Sequence, residues 1–350
     1  MSYEITIEPL GQAIPVREGQ TVLDACLRAG VWLPHACGHG LCATCKVQLL
    51  DGEVDHGEAS NFALMDFERD EGKLLACCAT AQSDLVIEAD IDEDPDARIV
   101  PLQDHAARVV EARMLTPTIR GLWLQADTPV DFQAGQYVML HVPGIGARAF
   151  SIASAPGDTR IELHVRKVEG GAATTWLHDQ LQAGQRLDFT GPFGRFFVRK
   201  SAQKPVLLLA GGSGLSSPKS MLLDLLAEGF TLPITLLHGA RSLAELYDQA
   251  LFESLAARHP NFSYVPVLSA GEAAGWTGET GFVHEALARR FDSDFRGHKA
   301  YLCGPPPMIE ACIATLMQGR LFEQDIYTEK FFTAADASAP ARRSPLFKSL

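Results

Sequence analysis

Long apolar runs are missing from this sequence. The longest, such as 206–210, fall far short of the roughly 20 residues that a helix needs to cross a bilayer. The opening residues Met1-Ser2-Tyr3-Glu4-Ile5-Thr6-Ile7 alternate as a strand does and lack the apolar stretch of a signal peptide, so a cytoplasmic protein is expected. Excess basic charge is also missing: 30 Lys and Arg stand against 43 Asp and Glu, a net charge of −13 that argues against a nucleic-acid partner. No internal repeat and no pair of Glu-x-x-His motifs occurs, so an oxygen-activating di-iron site is not expected within the chain. Without a leader, the eight cysteines point to a reducing compartment rather than a disulfide framework.

What the chain does have is a cysteine spacing. Cys37, Cys42 and Cys45 stand as Cys-x4-Cys-x2-Cys, and Cys77 follows after a long gap. This is the plant-type ferredoxin arrangement for a [2Fe–2S] cluster, which passes single electrons. Gly38 and Gly40 allow the tight loop the three close thiolates require. A structural zinc site would prefer paired Cys-x2-Cys units and leaves the four-residue gap unexplained. A Rieske site would need a later Cys-x-x-His, which does not occur. Cys78 competes with Cys77; neighbours on a strand point opposite ways, so one of the two is the ligand. Cys26 and Cys312 fall on apolar helical faces and read as core.

Charge and texture divide the chain into modules. Residues 1–92 carry 16 acidic against 5 basic side chains, and the remainder is nearly neutral. Such an acidic module suits a complementary, relatively basic protein surface. Residues 3–9 and 13–17 read as a hairpin, 21–29 as a short helix stopped at Gly30, and 46–50 and 85–88 as strands. A polar linker follows at 93–105. Short strands between Gly and Pro turns over 106–200 predict a small antiparallel barrel, with strands at 122–124, 137–142 and 161–166. From 201 to 333 the pattern is α/β. Strands are expected at 206–210, 234–237 and 300–302, and helices at 221–227, 244–257 and 283–290. Residues 334–350 read as a loosely held tail.

Three further motifs carry chemistry. Arg148-Ala149-Phe150-Ser151 precedes Leu163-His164-Val165-Arg166 and then Gly170-Gly171-Ala172-Ala173-Thr174-Thr175. Gly170 and Gly171 permit close backbone approach, the helix they open favours an anion, and Arg148 can fork onto phosphate. Gly211-Gly212-Ser213-Gly214-Leu215-Ser216-Ser217-Pro218 follows a buried strand and opens a helix, the setting of a dinucleotide phosphate loop. Cys303-Gly304-Pro305-Pro306-Pro307-Met308 and Glu329-Lys330-Phe331 follow late strands.

With these motifs in this order, the chain resembles the ferredoxin–NADP reductase superfamily fused to an N-terminal plant-type ferredoxin domain. The resemblance implies a β-grasp domain at 1–92, an FAD-binding β-barrel at 106–200 and an NAD-binding α/β domain at 201–333. It implies FAD held by Arg148, Ala149, Phe150, Ser151, His164, Val165, Arg166, Gly170, Gly171, Ala172 and Thr174. The nicotinamide nucleotide would meet Gly211, Gly212, Gly214, Leu215, Ser216, Arg241, Cys303, Gly304 and Pro305, with the Phe331 ring stacked on the flavin. Ser151, Cys303 and Glu329 become the polar groups around hydride transfer. Ser217 occupies the position where the superfamily loop usually has proline. The lone Arg241, with Glu245 and Tyr247 nearby, favours NADH over NADPH. The details resemble most the reductase components of multicomponent phenol hydroxylases, which implies an oxygenase partner with a di-iron centre. The reductase of a benzoate-type dioxygenase stays open, as does a redox-sensing module.

Overall fold

The computed structural model describes residues 2–35, 38, 40–91, 94–270 and 275–331. Two compact units divide between Gln103 and Asp104.

The first unit is a mixed sheet ordered Gln12–Arg17, Ser2–Glu8, Leu85–Glu88, Lys46–Asp51, Lys73–Leu75. The first two strands pair antiparallel, and Ser2–Glu8 runs parallel to Leu85–Glu88. Alternation sends Ile5, Ile7, Ile14, Val16 and Ile87 inward, where Val22 and Cys26 of helix Val22–Arg28 meet them in the core. Thr21 caps that helix by accepting the Asp24 N–H at 3.2 Å. Strand, hairpin, crossing helix and returning strand make a β-grasp. Ser83 and Asp84 staple its late turn: Ser83 Oγ accepts the Glu53 N–H at 2.8 Å, and Asp84 Oδ1 accepts the Glu4 N–H at 2.9 Å. The polar stretch 94–102 holds no helix or strand, yet Leu102 is buried and its N–H donates to the Leu27 carbonyl.

The second unit begins with six antiparallel strands ordered Gly146–Ser151, Tyr137–Val142, Arg186–Phe193, Gln103–Met114, Ile119–Ala126, Ile161–Arg166. An antiparallel bridge between Ile152 and Leu163 joins the two outer strands and closes the barrel. Its filling is Val109, Leu122, Leu124, Val138, Leu140, Leu163 and Phe189. A six-stranded parallel sheet follows, ordered Glu279–Thr280, Phe262–Leu268, Ile234–Ala240, Val206–Gly211, Lys299–Gly304, Ile326–Lys330. Val206–Gly211 is buried throughout. Leu208 and Ala210 feed one core with Leu222 and Leu225 of helix Ser216–Ala227, while Leu207 and Leu209 feed another with Ile309 and Cys312 of helix Pro306–Gln318. The strand order reverses between Val206–Gly211 and Lys299–Gly304, so the crevice beyond their carboxyl ends is where a ligand is received.

Two helices depart from the sequence reading. The helix expected from 221 starts at Ser216, because Ser216, Ser217 and Pro218 form its first turn after a 3-10 turn at Gly212–Leu215. The helix expected over 244–257 runs Gln249–Arg258. Ahead of it Glu245 accepts the Thr118 hydroxyl at 2.8 Å, and Asp248, at φ 56°, turns its carboxylate onto Lys219. The expected tail at 334–350 lies outside the described residues.

Candidate redox sites

In the first unit the loop that carries Cys42 and Cys45 meets the turn that carries Cys77. Cys45 is buried, Cys77 half-buried and Cys42 exposed; Cys37 lies outside the described residues. The Cys45 and Cys77 thiols share a hydrogen bond. That bond draws Cys77 down to about 6 against the effect of burial, with help from the Gly40 N–H and the Cys78 thiol. Gly40 sits at φ +71°, and a Cβ there would lie 2.7 Å from Cys78 Sγ and 3.1 Å from the Ala59 backbone. The loop therefore needs glycine for both conformation and space. Thiolate donors converging near a backbone N–H suit an iron–sulfur cluster.

The expectation that Cys77 and Cys78 point opposite ways fails. Both lie in a turn after strand Lys73–Leu75, where strand alternation does not apply, and their sulfurs are 3.7 Å apart.

In the second unit, strand Gly146–Ser151 leaves Arg148 and Ala149 exposed, Phe150 half-buried and Ser151 buried. Arg148 Nη1 donates to its neighbour's carbonyl, Ala147 O. Gly170, at φ +72°, has open space where a side chain would stand. Gly171 precedes helix Ala172–Asp179 without capping it by a side chain, so the first N–H groups face outward for an anion. Thr174 Oγ1 accepts the Val168 N–H at 3.1 Å and donates to Gly171 O, fixing that turn. An exposed arginine, a glycine with room above it and an open helix start fit a flavin phosphate chain.

Of His164-Val165-Arg166, only Arg166 faces solvent. Val165 belongs to the barrel core. His164 is enclosed, its Nε2 2.9 Å from Glu162 Oε1 and its Nδ1 3.0 Å from the Tyr247 hydroxyl, so neither ring nitrogen is left for a cofactor. Around it lies a buried charge cluster the sequence reading missed. Lys219 Nζ donates to Glu162 Oε1 at 2.8 Å, Glu162 Oε2 at 3.0 Å and Asp248 Oδ2 at 2.7 Å. Tyr247 also donates to Gly212 O at 3.2 Å, tying the cluster to the phosphate loop. Glu162 and His164 alternating with Ile161, Leu163 and Val165 in one buried strand were the local hint.

At the crevice the two loops interlock through glycine. A Cβ on Gly214 would stand 2.4 Å from Cys303 O, and one on Gly304, at φ +146°, 2.9 Å from Gly211 O. Leu215 and Ser216 are buried, with Ser216 Oγ donating to Ser213 O, so their side chains are structural. Arg241 is exposed at the end of Ile234–Ala240. The half-buried Phe331 donates its N–H to Gly304 O; Phe332 lies outside the described residues.

Register brings the three expected polar groups together. Cys303 and Glu329 are partners on adjacent parallel strands. Glu329 Oε2 accepts from Ser151 Oγ at 3.0 Å and from Cys303 Sγ at 3.3 Å. A third donor, Ser217 Oγ, lies closer at 2.7 Å and was not among the expected site residues. Burial pushes the Glu329 carboxyl up, while the hydroxyls and the thiol oppose it. Burial, then the Glu329 charge, raises the Cys303 thiol well above its ordinary value, so it stays protonated and donates.

Comparison with known proteins matches the geometry. Residues 5–82 match the 2Fe-2S iron-sulfur cluster binding domain, 106–198 the oxidoreductase FAD-binding domain, and 208–313 the oxidoreductase NAD-binding domain. The chain is 60% identical to the phenol hydroxylase P5 protein of Acinetobacter pittii and 60% identical to the phenol 2-monooxygenase reductase component DmpP of a Pseudomonas species. Each match covers all of both chains. The solved structure of the cytochrome P450 reductase GcoB of Amycolatopsis aligns at a TM-score of 0.84 and 38% identity, covering 94% of this chain and 98% of that one. On these matches, the chain belongs to the phenol hydroxylase reductase components, ferredoxin–NADP reductase relatives with an N-terminal 2Fe-2S domain.

Proposed function

We propose that this chain is the NADH-dependent reductase of a phenol-hydroxylating system, delivering electrons to an oxygenase component that holds a di-iron centre. The carrying observation is the convergence of Ser151, Cys303 and Glu329 at the reversal of strand order, in a chain whose other unit brings Cys45 and Cys77 together from a loop and a turn. Bound FAD would supply the conversion of a two-electron hydride donor into single electrons for the cluster.

The residues bind and orient. Cys37, Cys42, Cys45 and Cys77 are assigned as cluster ligands, and Cys45 and Cys77, which share a hydrogen bond, support that choice. Arg148 and the turn at Gly170-Gly171 are assigned to the flavin phosphates. Ser151 and Cys303 present a hydroxyl and a protonated thiol on either side of the Glu329 carboxylate, where flavin and nicotinamide would meet. Arg241 has no second basic side chain beside it in sequence, which favours NADH. The domain limits are proposed as 1–92, 106–200 and 201–333, with a linker at 93–105 and a tail at 334–350. The acidic 1–92 module is assigned as the docking face for the oxygenase, and the cytoplasm as the compartment.

Turnover with purified oxygenases tests the reading. NADH-driven phenol hydroxylation is expected with a di-iron phenol oxygenase; activity confined to a benzoate-type dioxygenase would overturn the substrate assignment.

A further inference from the structure

We infer that Ser217 is the anchoring donor of the hydride-transfer site, holding the Glu329 carboxylate in place while Ser151 and Cys303 turn to the ligands. The inference rests on the proposed reading of that site.

Three donors converge on the single oxygen Glu329 Oε2, one more than its two lone pairs accommodate well. They differ in freedom. Ser217 makes the shortest contact, at 2.7 Å, and is fully enclosed in the first turn of helix Ser216–Ala227. Ser151, at 3.0 Å, ends the strand whose preceding residues Arg148 and Ala149 are exposed. Cys303, at 3.3 Å, is the weakest of the three. A hydroxyl has one proton to give, so Ser151 cannot donate to Glu329 and to a bound flavin at once.

Among the described residues, the groups facing Glu329 are Ser151, Ser217, Cys303 and Tyr137. Tyr137 is pushed up to about 12 by burial and then by Glu329 itself, so it adds no charge. None of these four is a cation. If Ser151 turned away with no anchored donor left behind, the half-buried carboxylate would keep only the weak Cys303 thiol as a donor and would take up a proton more readily. Ser217 separates the two events: ligand binding recruits Ser151 while Glu329 stays charged. A proline at 217 has no hydroxyl and could not do this.

The test titrates Glu329 directly. Infrared difference spectra of the FAD- and cluster-loaded protein, with Glu329→Gln as the reference, read the protonated carboxyl band against pH. Loss of one hydrogen bond to a charged group is expected to raise the Ser217→Ala midpoint by about one to two pH units. Ser217→Thr should keep the wild-type midpoint, and Ser151→Ala should move it less than Ser217→Ala does. The acidic limb of kcat/KM for NADH-driven ferricyanide reduction should shift upward with the Ser217→Ala midpoint. An unmoved Ser217→Ala midpoint, or a larger shift in Ser151→Ala, overturns the inference. Wild-type protein unable to reduce ferricyanide from NADH would instead overturn the functional reading, and the infrared titration would still decide the role of Ser217.

Discussion

Replacing Lys219 by methionine removes the cation from a buried pair of carboxylates. Lys219, Glu162 and Asp248 expose only 6%, 9% and 16% of their side chains, so little solvent screening remains. Burial alone would raise the Glu162 carboxyl; the hydrogen bond and charge of His164, then those of Lys219, hold it at about 2 instead of 4.5. At about 1.4 kcal/mol per pH unit, that depression is worth about 3 kcal/mol of folding stability. Lys219 supplies the smaller part of that depression, after His164, but deleting it also strands two buried carboxylates, and stranding a buried charge costs about 3–5 kcal/mol. The sign follows from the depressed value: the contribution is complete above about pH 4.5 and disappears as pH falls through about 2. Urea unfolding followed by tryptophan fluorescence, with cluster absorbance reporting the first unit separately, should show Lys219→Met destabilised by about 3–5 kcal/mol at pH 7. Adding Glu162→Gln to Lys219→Met should return part of that loss, and Glu162→Gln alone should flatten the acid limb between pH 4.5 and 2. A Lys219→Met loss below about 1 kcal/mol would refute the reasoning, because that is the range of a solvent-screened pair.

Other substitutions separate the stations of the chain. Cys42→Ala should abolish NADH-driven cytochrome c reduction and spare ferricyanide reduction; full iron content with both activities retained would remove Cys42 from the ligand set. Cys78→Ser should leave iron content and the visible spectrum unchanged even though its sulfur lies 3.7 Å from that of Cys77, and an altered spectrum would make Cys78 the ligand. Gly214→Ala places a methyl group 2.4 Å from Cys303 O and 2.5 Å from Gly304 Cα, both backbone atoms. Its KM for NADH should therefore rise at least about tenfold, equivalent to about 1.4 kcal/mol, with flavin content unchanged; a wild-type KM would show that the two loops do not need this close approach.

Local rules made some elements readable and left others hidden. Strands Leu85–Glu88, Tyr137–Val142 and Ile161–Arg166 and helix Val283–Arg290 fall where alternation, helical period and Gly or Pro punctuation place them. Cys303 and Glu329 were legible through the superfamily motifs they stand in, Cys303-Gly304-Pro305 and Glu329-Lys330-Phe331. Ser217 was noticed only as a missing proline, since its partner lies 112 residues away and sequence spacing carries no sign of it. Lys219 and Glu162 escaped for a related reason. Glu162 sits between Ile161 and Leu163 and Lys219 beside serines, and in either setting a charge carries no sign of the distant partner that neutralises it. The helix expected from 244 begins only at Gln249, because Asp248 takes a left-handed conformation that turns its carboxylate onto Lys219.

The order Ser217-Pro218 has a physical logic that links the phosphate loop to the acid at 329. Proline has no N–H, but the first turn of an α-helix leaves its N–H groups without intrahelical partners in any case. Placing proline at 218, the third residue of helix Ser216–Ala227, therefore costs the helix little. It frees position 217, which faces Glu329, for a hydroxyl. The exchange matters because Glu329 is a half-buried acid with no cation among the described groups that face it. A chain with proline at 217 must draw the missing hydrogen bond from elsewhere or carry Glu329 protonated. Hydroxyl and carboxylate at these two positions thus act as one unit: Ser217→Ala alone should lower kcat/KM at acidic pH, whereas adding it to Glu329→Gln, where no charge is left to hold, should change kcat/KM little further.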